Sequence, residues 1–157
     1  MKWFLKCIRN YVNFSGRARR REYWNFVLFS ALLVIVAMIL DLICFGRNSL
    51  FYGLACLFLF LPHLSVMARR LHDTGRSAKI LIWYYAVWFV WVIALVLSGV
   101  SVVLNGAGSM STGFLVLLIA GSVVFLVWSI FFLVWLCTAG TVGENKYGPD
   151  PKQNEEL

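Results

Sequence analysis

Apolar and polar positions alternate along this chain in long blocks rather than in short periods. Four apolar runs, from about Trp24 to Phe45, Leu50 to Ala68, Ile80 to Leu104 and Gly113 to Thr138, are each roughly the 20 residues needed to cross a hydrocarbon core of about 30 Å. In lipid such runs must be helical, because no water satisfies their backbone groups. Ahead of them, residues 1–13 carry a different pattern. Trp3, Phe4, Cys7, Ile8 and Tyr11 follow helical spacing, and Lys2, Lys6, Arg9, Asn10 and Asn13 fall on the other side. That pattern predicts an amphipathic helix, either lying in the membrane interface or packed on the protein's own surface. The fold class expected is an all-α membrane protein, with four transmembrane helices and an N-terminal interfacial amphipathic helix. Its divisions are a basic segment at 1–23, a membrane domain at 24–138 and a tail at 139–157.

Composition sharpens this picture. The chain has 157 residues, 61% of them hydrophobic and 13% charged, about half the charged share of soluble proteins. A net charge of +7 would suggest nucleic acid in a soluble chain; here it reads as topology and lipid contact. Thirteen of the fourteen Lys and Arg lie in residues 1–23, 69–79 and the tail, and only Arg47 lies in the opposite loops. The positive-inside rule then places both termini and the central charged segment in the cytoplasm.

Several residues stand out inside or beside the spans. Pro62 removes the backbone bond to the Phe58 carbonyl, and His63 is expected to bond a neighbouring helix at the backbone so freed. Asp41 falls near the outer end of the first span, as an interfacial anchor beside Arg47. The four cysteines show no metal-ligand spacing. Cys44 and Cys56 fall near the same outer end, which leaves a disulfide between them open. No metal, cofactor or catalytic residue is assigned.

Three polar stretches interrupt the apolar pattern: Phe14-Ser-Gly-Arg-Ala-Arg-Arg-Arg-Glu-Tyr-Trp24, Arg69-Arg-Leu-His-Asp-Thr-Gly-Arg-Ser77 and Gly143-Glu-Asn-Lys-Tyr-Gly-Pro-Asp-Pro151. In this order they resemble the bacterial inner-membrane family of YhaH and YhaI type, a domain of unknown function. The resemblance implies a small multi-pass inner-membrane protein and no particular chemistry.

By the charge rule all three stretches face one compartment. They are expected to form a collar at the helix ends, with Glu22, Asp73 and Glu144 pairing among the arginines and Tyr147 folding the tail back. Within the second stretch Arg69 and Arg70 stand at i,i+4 and i,i+3 spacing from Asp73, so an ion-paired hairpin explains them. The functional alternative is a site for anionic lipid or a protein partner, built from Arg17, Arg19, Arg20, Arg21, Arg69, Arg70, His72, Asp73 and Arg76, because guanidinium forks match phosphate and carboxylate. A second copy of the chain is another expected partner. A His72–Asp73 base is disfavoured, since adjacent helical residues do not face each other. A non-enzymatic membrane protein with a basic face is therefore the leading expectation. A small oligomeric transporter or channel comes next, and a lipid head-group enzyme after it.

Overall fold

The computed structural model describes residues 2–46, 49–106 and 112–152. Among them are five helices and no strand: α1 (Lys2–Arg9), α2 (Arg20–Phe45), α3 (Leu50–Asp73), α4 (Lys79–Asn105) and α5 (Thr112–Cys137). The four helices α2 to α5 are long and apolar enough to cross a membrane. Arg47, Asn48, residues 107–111 and the acidic end Glu155-Glu156-Leu157 lie outside the described residues. The chain forms two compact units, Met1–Ala78 with Leu136–Leu157, and Lys79–Trp135.

In the first unit α2 and α3 pack together, and α1 lies against both. The Phe4 ring stacks on Phe26 with centroids 5.5 Å apart, and Cys7 is wholly buried. The helix expected over residues 1–13 stops at Arg9. Asn10 makes the last helical bond, its backbone N–H to the Lys6 carbonyl, and its side-chain amide donates to the same oxygen, after which the Asn13 N–H turns back to Asn10 O. Asn13 then accepts the Ser15 N–H on its side-chain oxygen, 3.1 Å away. The Ser65 hydroxyl lies 2.9 and 2.6 Å from the carbonyls of Asn10 and Asn13, tying this turn to α3.

Three single residues settle the ends and middle of α3. Its first N–H groups have no partner within the helix, and Asp41 of α2 supplies one. The Phe51 and Tyr52 N–H groups donate to Asp41 Oδ1 and Oδ2, each at 2.8 Å. A carboxylate there also meets the positive end of the helix dipole. At Pro62 the freed Phe58 carbonyl accepts the Tyr11 hydroxyl at 2.7 Å. His63, expected at that carbonyl, instead faces the rings of Tyr23 and Phe26, with centroids 6.4 and 6.0 Å away. The helix continues past Ala68 through the charged stretch. It closes where Gly75, at φ 75°, lets the Arg76 N–H return to the Leu71 carbonyl at 2.9 Å. All four cysteines are free thiols, Cys44 and Cys56 included.

In the second unit the Tyr84 ring stacks on Phe132, with centroids 4.4 Å apart. The Trp91 indole occupies the space that a Cβ at position 121 would fill, so only glycine fits there. The hydroxyls of Ser98 and Ser122 donate to Leu95 and Leu118 carbonyls of their own helices.

Candidate functional site

The three polar stretches meet in the first unit as one cap. It is built on two buried carboxylates, each set between two cations. Glu22, at the start of α2, accepts from Arg69 Nη1 at 2.6 Å and lies 2.8 Å from Lys6 Nζ. Asp73, at the end of α3, accepts from Arg17 Nε at 3.0 Å and from Arg70 Nη1. A buried unpaired charge is costly, and pairing offsets that cost. The sequence suggested Arg69 and Arg70 both on Asp73; Arg69 turns to Glu22 instead.

The arginines also serve backbone carbonyls. Arg70 is fully buried, and its Nε donates to the Leu136 carbonyl at 3.0 Å and its Nη2 to that of Thr138. It thereby satisfies acceptors that the end of α5 leaves open, at the pole where a cation is favoured. Arg17 reaches into the tail. Its Nη1 donates to Gly143 O at 2.5 Å, and its Nη2 donates to Thr141 O. Arg19 Nη2 donates to the Pro151 carbonyl. The Ala18 N–H donates to Arg69 O at 3.0 Å, so the first stretch lies directly on the second.

The third stretch is folded back onto the other two. Tyr147 stacks on His72 with centroids 3.9 Å apart and planes 8° from parallel. The Asn145 amide donates to His72 O at 3.1 Å, and the Thr141 N–H to Asp73 O at 2.9 Å. A Cβ on residue 140 would overlap the Asp73 carboxylate, so Gly140 is what admits the tail this close. Asp150 accepts the Lys152 N–H at 3.0 Å and the Gly143 N–H at 3.1 Å. The Lys152 N–H above all, then that of Gly143 and the Arg17 charge, hold its carboxyl below the usual range.

These contacts sort the residues expected at the site. Arg17, Arg19, Arg69, Arg70 and Asp73 are buried and bonded within the chain. His72 is half-buried with Nδ1 3.2 Å from the Gly16 carbonyl, so it does not face Asp73 as a catalytic pair would. Arg76 is half-buried, and Arg20 and Arg21 are exposed. Glu144 is exposed, and the buried acid of the tail is Asp150. Lys6, Cys7, Gly140, Thr141, Asn145 and Asp150 belong to the cap although the sequence assigns none of them a pairing there. The Cys7 thiol lies 3.8 Å from Glu22 Oε1, and burial, reinforced by the Glu22 charge, pushes its pKa up to about 12.

A helical protein with four membrane-length helices and a buried ionic cap is the class this architecture defines. The chain belongs to the family described as "Protein of unknown function (DUF805)", whose model matches residues 11–149 and so takes in all three stretches. It is 34% identical to "Inner membrane protein YhaH" of Escherichia coli strain K12, over 97% of this chain and 98% of that one. It is 32% identical to "Inner membrane protein YhaI" of the same strain, over 97% of each. "Uncharacterized protein YiiR" of that strain is 31% identical, over 88% of this chain and 85% of the relative. No solved structure matches the chain significantly.

Proposed function

We propose that this protein is a non-enzymatic bacterial inner-membrane protein whose cap faces the cytoplasm and whose basic surface binds anionic lipid. The thirteen-to-one distribution of Lys and Arg supports that orientation, with both termini inside. The names of the two inner-membrane relatives support the location. On this reading residues 1–23 and 139–157 form the cytoplasmic part, residues 24–138 hold the membrane part, and α1 lies at the interface with Leu5 exposed.

The observation that carries the lipid reading is the division of the basic residues. Arg17, Arg69 and Arg70 are spent on carboxylates and carbonyls inside the cap, whereas Lys2, Arg9, Arg20 and Arg21 are exposed. The exposed set is the part of the basic stretch free to meet a negatively charged surface. Each such residue near an anionic leaflet is worth about 1 kcal/mol, screened by salt. That Ser98 and Ser122 bond within their own helices favours this reading over a polar transport path.

Two measurements test it. Reporter fusions after Ser77 and Lys152 should give cytoplasmic signals; a periplasmic signal at either would sink the orientation. Replacing Lys2, Arg9, Arg20 and Arg21 together with Gln should lower the co-purified anionic lipid. An unchanged anionic fraction, with topology intact, would sink the lipid reading.

A further inference from the structure

Four features coincide where α2 begins, beside the last turn of α5. Arg20, Arg21, Trp24 and Asn25 line, together with Cys137, an open cleft of about 480 Å³. The guanidinium of Arg20 makes one long contact, 3.4 Å to the Cys137 carbonyl, and that of Arg21 makes no hydrogen bond or ion pair among the described residues. Trp24 is exposed at the cleft wall. The exposed apolar surface of α2 begins at the cleft and includes the face that carries Arg21. Arg21, Asn25, Leu28, Leu32 and Ile35 recur at alternating spacings of four and three, the repeat that keeps residues on one helical face, and Leu28, Leu32 and Ile35 are exposed.

From this arrangement, and resting on the lipid reading above, we infer that the Arg20–Arg21 cleft is a head-group site for one phospholipid. The phosphate sits between the two guanidiniums, and an acyl chain lies along Leu28, Leu32 and Ile35. Those residues are about 10 to 20 Å along the axis from Arg21 at 1.5 Å per residue, which matches the depth of one leaflet, about 15 Å. The guanidinium fork suits phosphate oxygens, and Trp24 stands where indole rings favour the interface. This apolar surface is continuous with the cationic cleft, and a soluble phosphate has nothing to place on it.

Charge narrows the lipid further. Two guanidiniums facing one phosphate leave an excess positive charge. A head group that carries its own ammonium, as in a zwitterionic lipid, would add a like charge there. The cleft therefore selects a phosphodiester lipid with an uncharged polar head, of which phosphatidylglycerol is the probe. The neighbouring buried arginines do not contribute, because Arg17, Arg69 and Arg70 are already bonded inside the cap.

The exposed thiol of Cys137 in the cleft wall provides the readout. In the full chain with Cys44→Ala and Cys56→Ala, Cys137 is the exposed thiol and Cys7 stays buried. The protein is reconstituted in phosphatidylcholine vesicles with and without phosphatidylglycerol, and maleimide labelling is timed. Phosphatidylglycerol should slow Cys137 labelling about tenfold, and Arg20→Gln with Arg21→Gln should abolish the slowing. Equal rates with and without phosphatidylglycerol would overturn the site. So would the same protection by inorganic phosphate in detergent, which would make it a soluble-anion site. Retained phosphatidylglycerol, counted by native mass spectrometry, separates the two readings. Loss on Lys2→Gln with Arg9→Gln, but not on the Arg20 and Arg21 changes, leaves a lipid-binding face and removes this cleft. No retained anionic lipid on the unaltered chain removes both.

Discussion

The hydroxyl of Tyr11 donates to the carbonyl of Phe58 at 2.7 Å, the acceptor that Pro62 deprives of its helical partner. A helix-breaking residue in a membrane-length segment is thus matched by a donor 47 positions earlier in the chain. The pairing answers a requirement of lipid, where a carbonyl without a donor costs more than it does in water.

Tyr11→Phe tests that pairing most simply, since it removes one oxygen and keeps the ring against Phe58. The expected loss is about 1 kcal/mol, the net worth of one ordinary hydrogen bond. Thermal unfolding in detergent should show a lower midpoint. A midpoint equal to that of the unaltered protein would mean that water replaces the phenol.

Arg70→Lys should be more damaging than its conservative appearance suggests. The buried guanidinium serves Asp73 and the carbonyls of Leu136 and Thr138 at once, and an ammonium cannot reproduce that planar fork. A destabilisation of about 3 kcal/mol or more is expected, as for other broken buried pairs. Chemical denaturation with Arg20→Lys as an exposed control would check it; equal effects would contradict the cap's geometry.

Cys7 should resist thiol reagents at pH 8 in the folded protein. Its pKa is raised to about 12, so the reactive thiolate is scarce at that pH, and the side chain is buried. Cys44 and Cys137, both exposed, should label first. Mass mapping after a short pulse would decide; early modification at Cys7 would show that α1 leaves the cap.

Asp150 should make the tail acid-sensitive. Its folded carboxyl titrates below its ordinary value of 3.8. Its contribution is therefore complete above that ordinary value and is lost as pH falls through the depressed one. Asp150→Asn should lower the thermal midpoint near neutrality, and the difference should shrink as the solution is acidified. A difference that grew toward acid pH would reverse the assignment.

The spans were legible because length and apolarity alone dictate them: α2 to α5 begin and end within a few residues of the apolar runs, except that α3 carries on to Asp73. The meeting of the three polar stretches was legible as well, because charge placed them on one side of the spans. Individual partners were not. Arg69 and Arg70 point about 100° apart on α3, and only the rotation of that helix sends Arg69 to Glu22 and Arg70 to the last turn of α5. Tyr11 shares the helical spacing of Trp3 and Cys7 in the sequence, yet the helix stops at Arg9 and its hydroxyl goes to Phe58. Gly140 and Asp150 lie in a tail without periodicity, and their roles arise from one close approach and two backbone donors.

The folded-back tail also sets an order of events. Thr141 to Pro151 is translated after the last apolar helix, yet it supplies the carbonyls that Arg17 and Arg19 hold. A nascent chain that has already delivered all four long helices still carries those arginines without their tail acceptors. Closure of the cap therefore waits until Thr141 to Pro151 has left the ribosome. A chain cut short after Cys137 would keep its apolar helices and leave Arg17, Arg19 and Arg70 without their tail carbonyls.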